Sequence, residues 1–482
     1  MAAHDSDHGG CVHVLLLPYP SQGHINPILQ FGKRLASHAG VRCTLAVTRY
    51  LLCQGRDPCP GAVHLAEISD GFDRGGFGEA AGDVAAYLAR LESVGSRTVD
   101  ELLRSEAEKG RPVGAVVYDA FLQPWAPRVA RRHGAACASL FTQAPAVNVA
   151  YAHVGAGRLT VPVVAGTVLP ELPGLPAGLG PDDVPSFLAK PDECAAYMDL
   201  LVRQFVGLDA DDHVLVNSFH ELQPLESEYM ASMWGAKTVG PTVPSAYLDN
   251  RLPDDASYGF HLHTPTTAAT KAWLDARPAR SVAYVSFGSI AALGPEQMVE
   301  VAEGLFNSGE PFLWVVRDSE TSKIPDGFAD KAGGSGLIVP WTAQLEVLAH
   351  DALGCFVTHC GWNSTTEALS AGVPMVALPH WSDQPTNAKY IEDVWRVGVR
   401  ARPGAGGVVR REEVERCVRE VMGSEGYRTR AAEWSVKTKA AMSDGGSSDR
   451  NILDFLRELG SAKSELWGGG RSVVSCCFSW KT

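Results

Sequence analysis

The chain has 482 residues, 45% hydrophobic and 20% charged, a balance that suits a soluble folded protein and excludes a wholly disordered one. That length exceeds a single ordinary core, so two or three domains are expected. A net charge of -13, from 42 basic and 55 acidic residues with no Lys/Arg-rich run, argues against nucleic-acid binding.

Residues 1–10, MAAHDSDHGG, carry acids and histidines where a secretory leader needs basic residues, and read as a flexible N-terminus. No stretch reaches the roughly 20 apolar residues of a helical membrane span. The eleven cysteines are scattered and form no CxxC pair, which fits reduced thiols and a cytoplasmic location.

Strand-like and helix-like runs then alternate. VHVLLLPYP (12–20) leads into a helix over 26–40, followed by VRCTLAVT (41–48), a helical stretch near 83–108 and GAVVYDAF (114–121). A helix over 124–133 precedes ACASLFT (136–142), and the Pro/Gly-rich run 161–185 reads as a long functional loop. The segment 241–263, rich in proline and turn residues, is the expected linker. Beyond it a second alternation sets in, with SVAYVSFGS (281–289), FLWVV (312–316), GLIVP (336–340), GCFVTH (354–359) and PMVALP (374–379) as strands. Two α/β, doubly wound, Rossmann-like domains facing a central cleft are therefore expected, over 11–240 and 264–445. A C-terminal helix over 446–463 would pack back on the first domain. Residues 464–482, with three consecutive glycines and no helical period, read as a disordered tail.

Ligands of such folds bind beyond the carboxyl ends of the strands, so the residues that follow each strand carry the functional reading. In VTHCGWNSTTEALSAG a strand ends at His359, a glycine turn follows at Gly361, and a helix opens near Asn363 or Ser364. Free backbone N–H groups and the helix dipole make such a start an anion site, which lets an acidic protein hold a diphosphate without a metal. Ser364 and Glu367 also fit a capping box, a purely structural use of the glutamate. Trp341 follows GLIVP and can stack on a flat base. Asp383 and Gln384 follow PMVALP and offer acceptors and donors to a polyhydroxylated ligand; the plainer reading is helix capping by Ser382 and Asp383. In the first half, His24 sits on the glycine-containing loop after the first strand and titrates near neutrality, as a general base should. Asp119 ends another strand, where a carboxylate can fix an imidazole tautomer or simply N-cap a helix starting near Gln123.

The run WTAQLEVLAHDALGCFVTHCGWNSTTEALSAGVPMVALPHWSDQ, from Trp341 to Gln384, resembles the signature of plant secondary-product UDP-glycosyltransferases. ISDGFDRGG (68–76) is similar to the members acting on phenolic or carboxylic acids or on trichothecenes. The resemblance implies a GT-B fold and a metal-independent, inverting transfer of glucose from UDP-glucose, with no cofactor. The expected acceptor is a small hydrophobic phenol, alcohol or carboxylic acid such as a hormone, phenolic or mycotoxin, and the expected setting is detoxification or secondary metabolism by a monomer. It assigns the uracil to Trp341, the base and ribose side to Gln344 and the ribose to Glu367, and counts Thr342 and Ala343 among the UDP-sugar-binding residues. The diphosphate falls to His359, the Trp362 backbone, Asn363 and Ser364, with Gly361 allowing close approach, and Ser289 matches a position that contacts the diphosphate or the uridine. The sugar falls to Asp383 and Gln384, with glutamine at this last position associated with glucose. His24 and Asp119 become base and partner, and Thr142 touches the sugar.

Three rivals remain. A nucleotide-sugar binding protein that no longer transfers would show the same donor residues. A metal-dependent transferase would use Asp209-Ala210-Asp211 as a DxD motif, although this triplet precedes a strand and a turn or solvated acidic cap suits it better. A dehydrogenase would need a GxGxxG after the first strand, which is missing.

Overall fold

The computed structural model describes residues 11–55 and 58–468. Among these residues thirteen strands form two wholly parallel sheets. The first contains β1 (Val12–Leu17), β2 (Val41–Thr48), β3 (His64–Ile68), β4 (Ala115–Asp119), β5 (Ala136–Phe141), β6 (His213–Val216) and β7 (Lys237–Thr238). The second contains β8 (Val282–Ser286), β9 (Phe312–Val315), β10 (Gly336–Val339), β11 (Leu353–Thr358), β12 (Met375–Ala377) and β13 (Gly398–Arg400). The orders are β3-β2-β1-β4-β5-β6-β7 and β10-β9-β8-β11-β12-β13. Each sheet reverses direction beside its first strand, β1 or β8, and that switch point is where a doubly wound fold opens a crevice.

The strands are apolar because both faces are covered. Along β1, Val14 and Leu16 enter one cluster with Ile28 and Leu45, while Leu15 and Leu17 enter another with Tyr118 and Val129. A third cluster crosses between the halves and joins Phe141, Val216 and Phe219 to Trp362, Tyr390 and Trp395. The closing helix, Ser447–Gly468, returns to the first sheet and buries Ile452, Phe455 and Leu459 among β1, β2 and the opening helix. It continues past 463, so 464–468 are helical where a tail was expected; the rest of that tail, like the expected flexible residues 1–10, lies outside the described residues.

One sequence expectation changes the site. The opening helix is Gln22–Ala36, not 26–40, so His24 stands in its first turn rather than on a preceding loop. Pro27 therefore lies in the helix interior, not in its first turn.

Among the described residues no helix is long and apolar enough to cross a membrane.

Candidate active site

The carboxyl ends of both sheets open onto one cleft of about 530 Å³. His24, Thr142, Ser289, Trp341, Thr342, Ala343 and Gln344 all line it. So do His359, Gly361, Trp362, Asn363, Ser364, Glu367, Asp383 and Gln384.

On the first-half wall, His24 Nδ1 donates to Asp119 Oδ2 at 2.7 Å. Asp119 is fully buried at the end of β4, and its other oxygen accepts from the Phe121 N–H at 3.0 Å. One oxygen thus caps the short helical turn Ala120–Leu122, rather than a helix starting near Gln123, while the other holds His24. With Nδ1 engaged, Nε2 is the imidazole nitrogen left for chemistry. Thr142 Oγ1 donates to Asp119 Oδ2 at 3.4 Å and lies 3.1 Å from His24 Nδ1, so in this structure the hydroxyl serves the pair. Tyr19 and Phe121 pack against the His24 ring at centroid distances of 5.2 and 4.7 Å and fix its plane.

On the second-half wall, the helix Trp362–Ala371 begins after the three residues that follow the end of β11 at Thr358. Its N-cap, Gly361, has no side chain with which to cap. A Cβ at Gly361 would fall 2.5 Å from His359 Nε2, and one at Gly288 (φ +73°) would fall 2.8 Å from the same ring. Only glycines can enclose the imidazole this closely. Burial lowers the His359 pKa to about 4, so the ring is neutral at pH 7. Its buried Nδ1 has no hydrogen-bond partner among the described residues, the sort of orphan that a ligand satisfies.

The capping box is overturned. Because the helix starts at Trp362, Ser364 is its third residue, and Glu367 does not reach back to the N-terminus. Glu367 Oε2 instead accepts from Gln344 Nε2 at 2.7 Å, and Oε1 accepts from the Tyr258 hydroxyl at 2.7 Å. Gln344 also donates to Ser364 Oγ at 2.9 Å and accepts from Tyr284 at 3.1 Å. Trp341 stands after β10, with His263 tilted against it at 4.3 Å.

Asp383 is not a side-chain cap either. It precedes the helix Gln384–Lys389, and its Oδ2 accepts from Asn387 Nδ2 at 2.8 Å. Burial raises its pKa to about 6, opposed by Asn387 and by the neighbouring charge of His24. Gln384 Oε1 accepts from the N–H groups of His380 and Trp381 at 2.8 and 3.0 Å. Its carbonyl is thereby committed and its amide N–H₂ remains to donate. An acceptor beside a donor is what a pair of sugar hydroxyls requires. Asn363 Nδ2 donates to the Gly23 carbonyl at 2.8 Å, so the two walls touch next to His24.

The DxD triplet takes no part. The Asp211 side chain is fully buried, accepts from the Tyr118 hydroxyl and pairs with Arg131 at 3.0 Å. It is neither solvated nor in the cleft.

Sequence reasoning missed Tyr258, Gly288 and Arg317. Tyr258 lies in the presumed linker and carries no motif. Gly288 falls within the quoted SFGS run but had no visible reason until His359 appeared beside it. Arg317 reaches the Gly288 and Ala291 carbonyls from behind the cleft and lies close enough to His359 to depress its pKa.

Two such sheets meeting at one cleft make this a protein of the GT-B type. The family model for UDP-glucoronosyl and UDP-glucosyl transferases matches residues 230–438. A barley (Hordeum vulgare) UDP-glucosyltransferase, UGT13248, is 50% identical over 94% of this chain and 95% of its own. The rice (Oryza sativa) UDP-glycosyltransferase 79 is 50% identical over 93% and 97%. The crystal structure of rice Os79 with UDP superposes with a TM-score of 0.87 at 48% identity, covering 92% of this chain and all of that one. The chain belongs to the UDP-glycosyltransferase family.

Proposed function

We propose that the protein transfers glucose from UDP-glucose to a hydroxyl of a small hydrophobic acceptor, with inversion and without a metal. The His24–Asp119 contact of 2.7 Å carries this reading, because it is the geometry of a general base held in one tautomer. His24 Nε2 takes the acceptor proton as the acceptor oxygen bonds to the anomeric carbon. The bond from that carbon to the phosphate oxygen breaks, and UDP leaves with the electron pair. The start of the Trp362–Ala371 helix, His359 and Asn363 supply the dipole and donors that steady the departing diphosphate. Trp341 and Glu367 take the uracil and ribose, and Asp383 with the Gln384 amide takes the glucose. Glucose as donor is further supported by the relatives that carry the name glucosyltransferase.

The acceptor side is ringed by Tyr19, Phe77, Tyr87, Phe121, Phe187 and Tyr197. Among the described residues no lysine or arginine lines the cleft, while Glu346, Glu367 and Asp383 do. A carboxylate would meet no compensating cation there, so a phenol or alcohol suits the chamber better than an acid. Os79 has been crystallised with a trichothecene, and an acceptor of that alcohol-bearing kind agrees with this reading. The free thiols of Cys43, Cys137, Cys355, Cys360 and Cys417, all buried, support a reducing, cytoplasmic setting. Both walls of the cleft come from one chain, which supports a working monomer.

The test is UDP release from UDP-glucose with matched phenols, alcohols and acids, with and without a chelator. Turnover should be indifferent to the chelator. His24→Ala should lose about 10²–10⁴-fold on hydroxyl acceptors and less on any carboxylic acid turned over, since an acid is already ionised at pH 7. Bound UDP-glucose with no turnover on any acceptor would leave the passive-carrier reading. Loss of activity with the chelator would bring a metal back.

A further inference from the structure

The Glu367 carboxylate has about four lone-pair sites. Two are taken inside the protein, one on each oxygen, by Gln344 and by Tyr258. One site per oxygen remains, which matches a vicinal diol. Gln344 comes from the same half as Glu367, but Tyr258 does not. It stands in the chain between the sheets, in a stretch without regular structure, and its side chain reaches the wall of the cleft.

That stretch is bound on both sides of Tyr258 to the opening helix, the one that carries His24. Lys33 Nζ donates to Asp255 Oδ1 at 2.8 Å and to the Ser257 carbonyl at 2.7 Å. Gln22 Nε2 donates to the Phe260 carbonyl at 2.8 Å, and Gln22 Oε1 accepts from the Leu262 N–H at 3.2 Å. The tyrosine therefore stands on the base's own helix and grips the carboxylate of the opposite half.

We propose that Tyr258 is a positioning residue of the donor site, whose hydroxyl holds Glu367 in the rotamer that receives the ribose 2′- and 3′-hydroxyls. The proposal rests on the reading of Glu367 as the ribose contact. Burial raises the pKa of Glu367, and the Tyr258 and Gln344 hydrogen bonds oppose that rise and favour its ionised form. Without the tyrosine, one buried oxygen loses its donor, and the carboxylate is free to turn toward other partners. A tyrosine that merely filled the empty ribose site, and had to leave before the nucleotide could enter, would have the opposite effect on binding.

UDP and 2′-deoxy-UDP titrated calorimetrically into wild type and Tyr258→Phe decide between these. Wild type should prefer UDP. Tyr258→Phe should weaken UDP by about tenfold or more, the scale of one hydrogen bond to a charged group. It should weaken 2′-deoxy-UDP less, so the preference shrinks. In turnover the KM for UDP-glucose should rise with kcat nearly kept, and the melting temperature should show that the variant is folded. An unchanged UDP to 2′-deoxy-UDP ratio, or tighter UDP binding, overturns the proposal. A wild type with no preference between the two nucleotides overturns the ribose reading beneath it, whatever the variant does.

Discussion

Asp383 shows what a site residue costs the fold. The residue is buried, and its pKa rises from an ordinary 3.8 to about 6 for that reason. A raised folded-state pKa contributes stability below 3.8 that is lost as pH climbs through about 6. Asp383→Asn should therefore gain stability over wild type across that window and keep the gain above it. The gain should reach about 2–3 kcal/mol, from the roughly two-unit shift. It appears as a difference in melting temperature that is small at pH 3.5 and full at pH 7, together with loss of transfer. The residue identities of the site were largely legible from the run Trp341–Gln384, because strand, glycine turn and helix start follow one another in the text. What the text could not give is which partner each side chain chooses. Ser364 and Glu367 have capping-box spacing, and Ser382 and Asp383 are good cap residues, yet neither group caps its helix. Helix starts one or two residues from the expected position decide such matters, and boundary errors of that size are ordinary in sequence reading.

The opening helix illustrates the element scale. Pro27 has no N–H, so the Gly23 carbonyl four residues earlier lacks its helical donor. Asn363, from the second half, donates to that carbonyl at 2.8 Å. Pro27 is thus what leaves a free acceptor beside His24, a link that periodicity along the sequence does not reveal. Asn363→Ala should lower the stability of the ligand-free protein by about 1–2 kcal/mol through the unsatisfied carbonyl. With Pro27→Ala already present, the new N–H can serve Gly23 and that loss should largely disappear. Chemical denaturation of the four proteins closes the cycle; equal Asn363→Ala costs in both backgrounds would refute the coupling. Among the strands, long central ones such as β1, β2 and β11 were readable as apolar runs. β3 was missed because it is a partly exposed edge containing Glu67, and β7 and β13 because two or three residues carry no period.

At the scale of the whole molecule, the halves are fastened at several further points. The indoles of Trp362 and Trp395 donate to the carbonyls of Asn217 and Leu222 at 2.7 and 3.0 Å. Ser186 and Ser382 exchange hydrogen bonds, and Asp183 pairs with Arg400 at 3.1 Å. The two-domain plan followed from the repeated alternation, but these fasteners did not, since each joins residues far apart in the chain. The closing helix is the largest of them. Phe455 is fully buried, 4.9 Å from the His213 ring and 6.1 Å from Phe31. Phe455→Ala should cost about 3–5 kcal/mol and lower the melting temperature by several degrees; a shift within error would show that the helix is dispensable.

The same helix has a consequence for biosynthesis. A chain emerging from the ribosome completes β1 to β7 long before residues 447–461 exist. Throughout that interval the groove that will receive Ile452, Phe455 and Leu459 is open and apolar. The amino-terminal half is thus an unfinished body during most of translation, a natural client for chaperones. Cut out as a fragment for expression, it should precipitate unless the closing helix is supplied alongside.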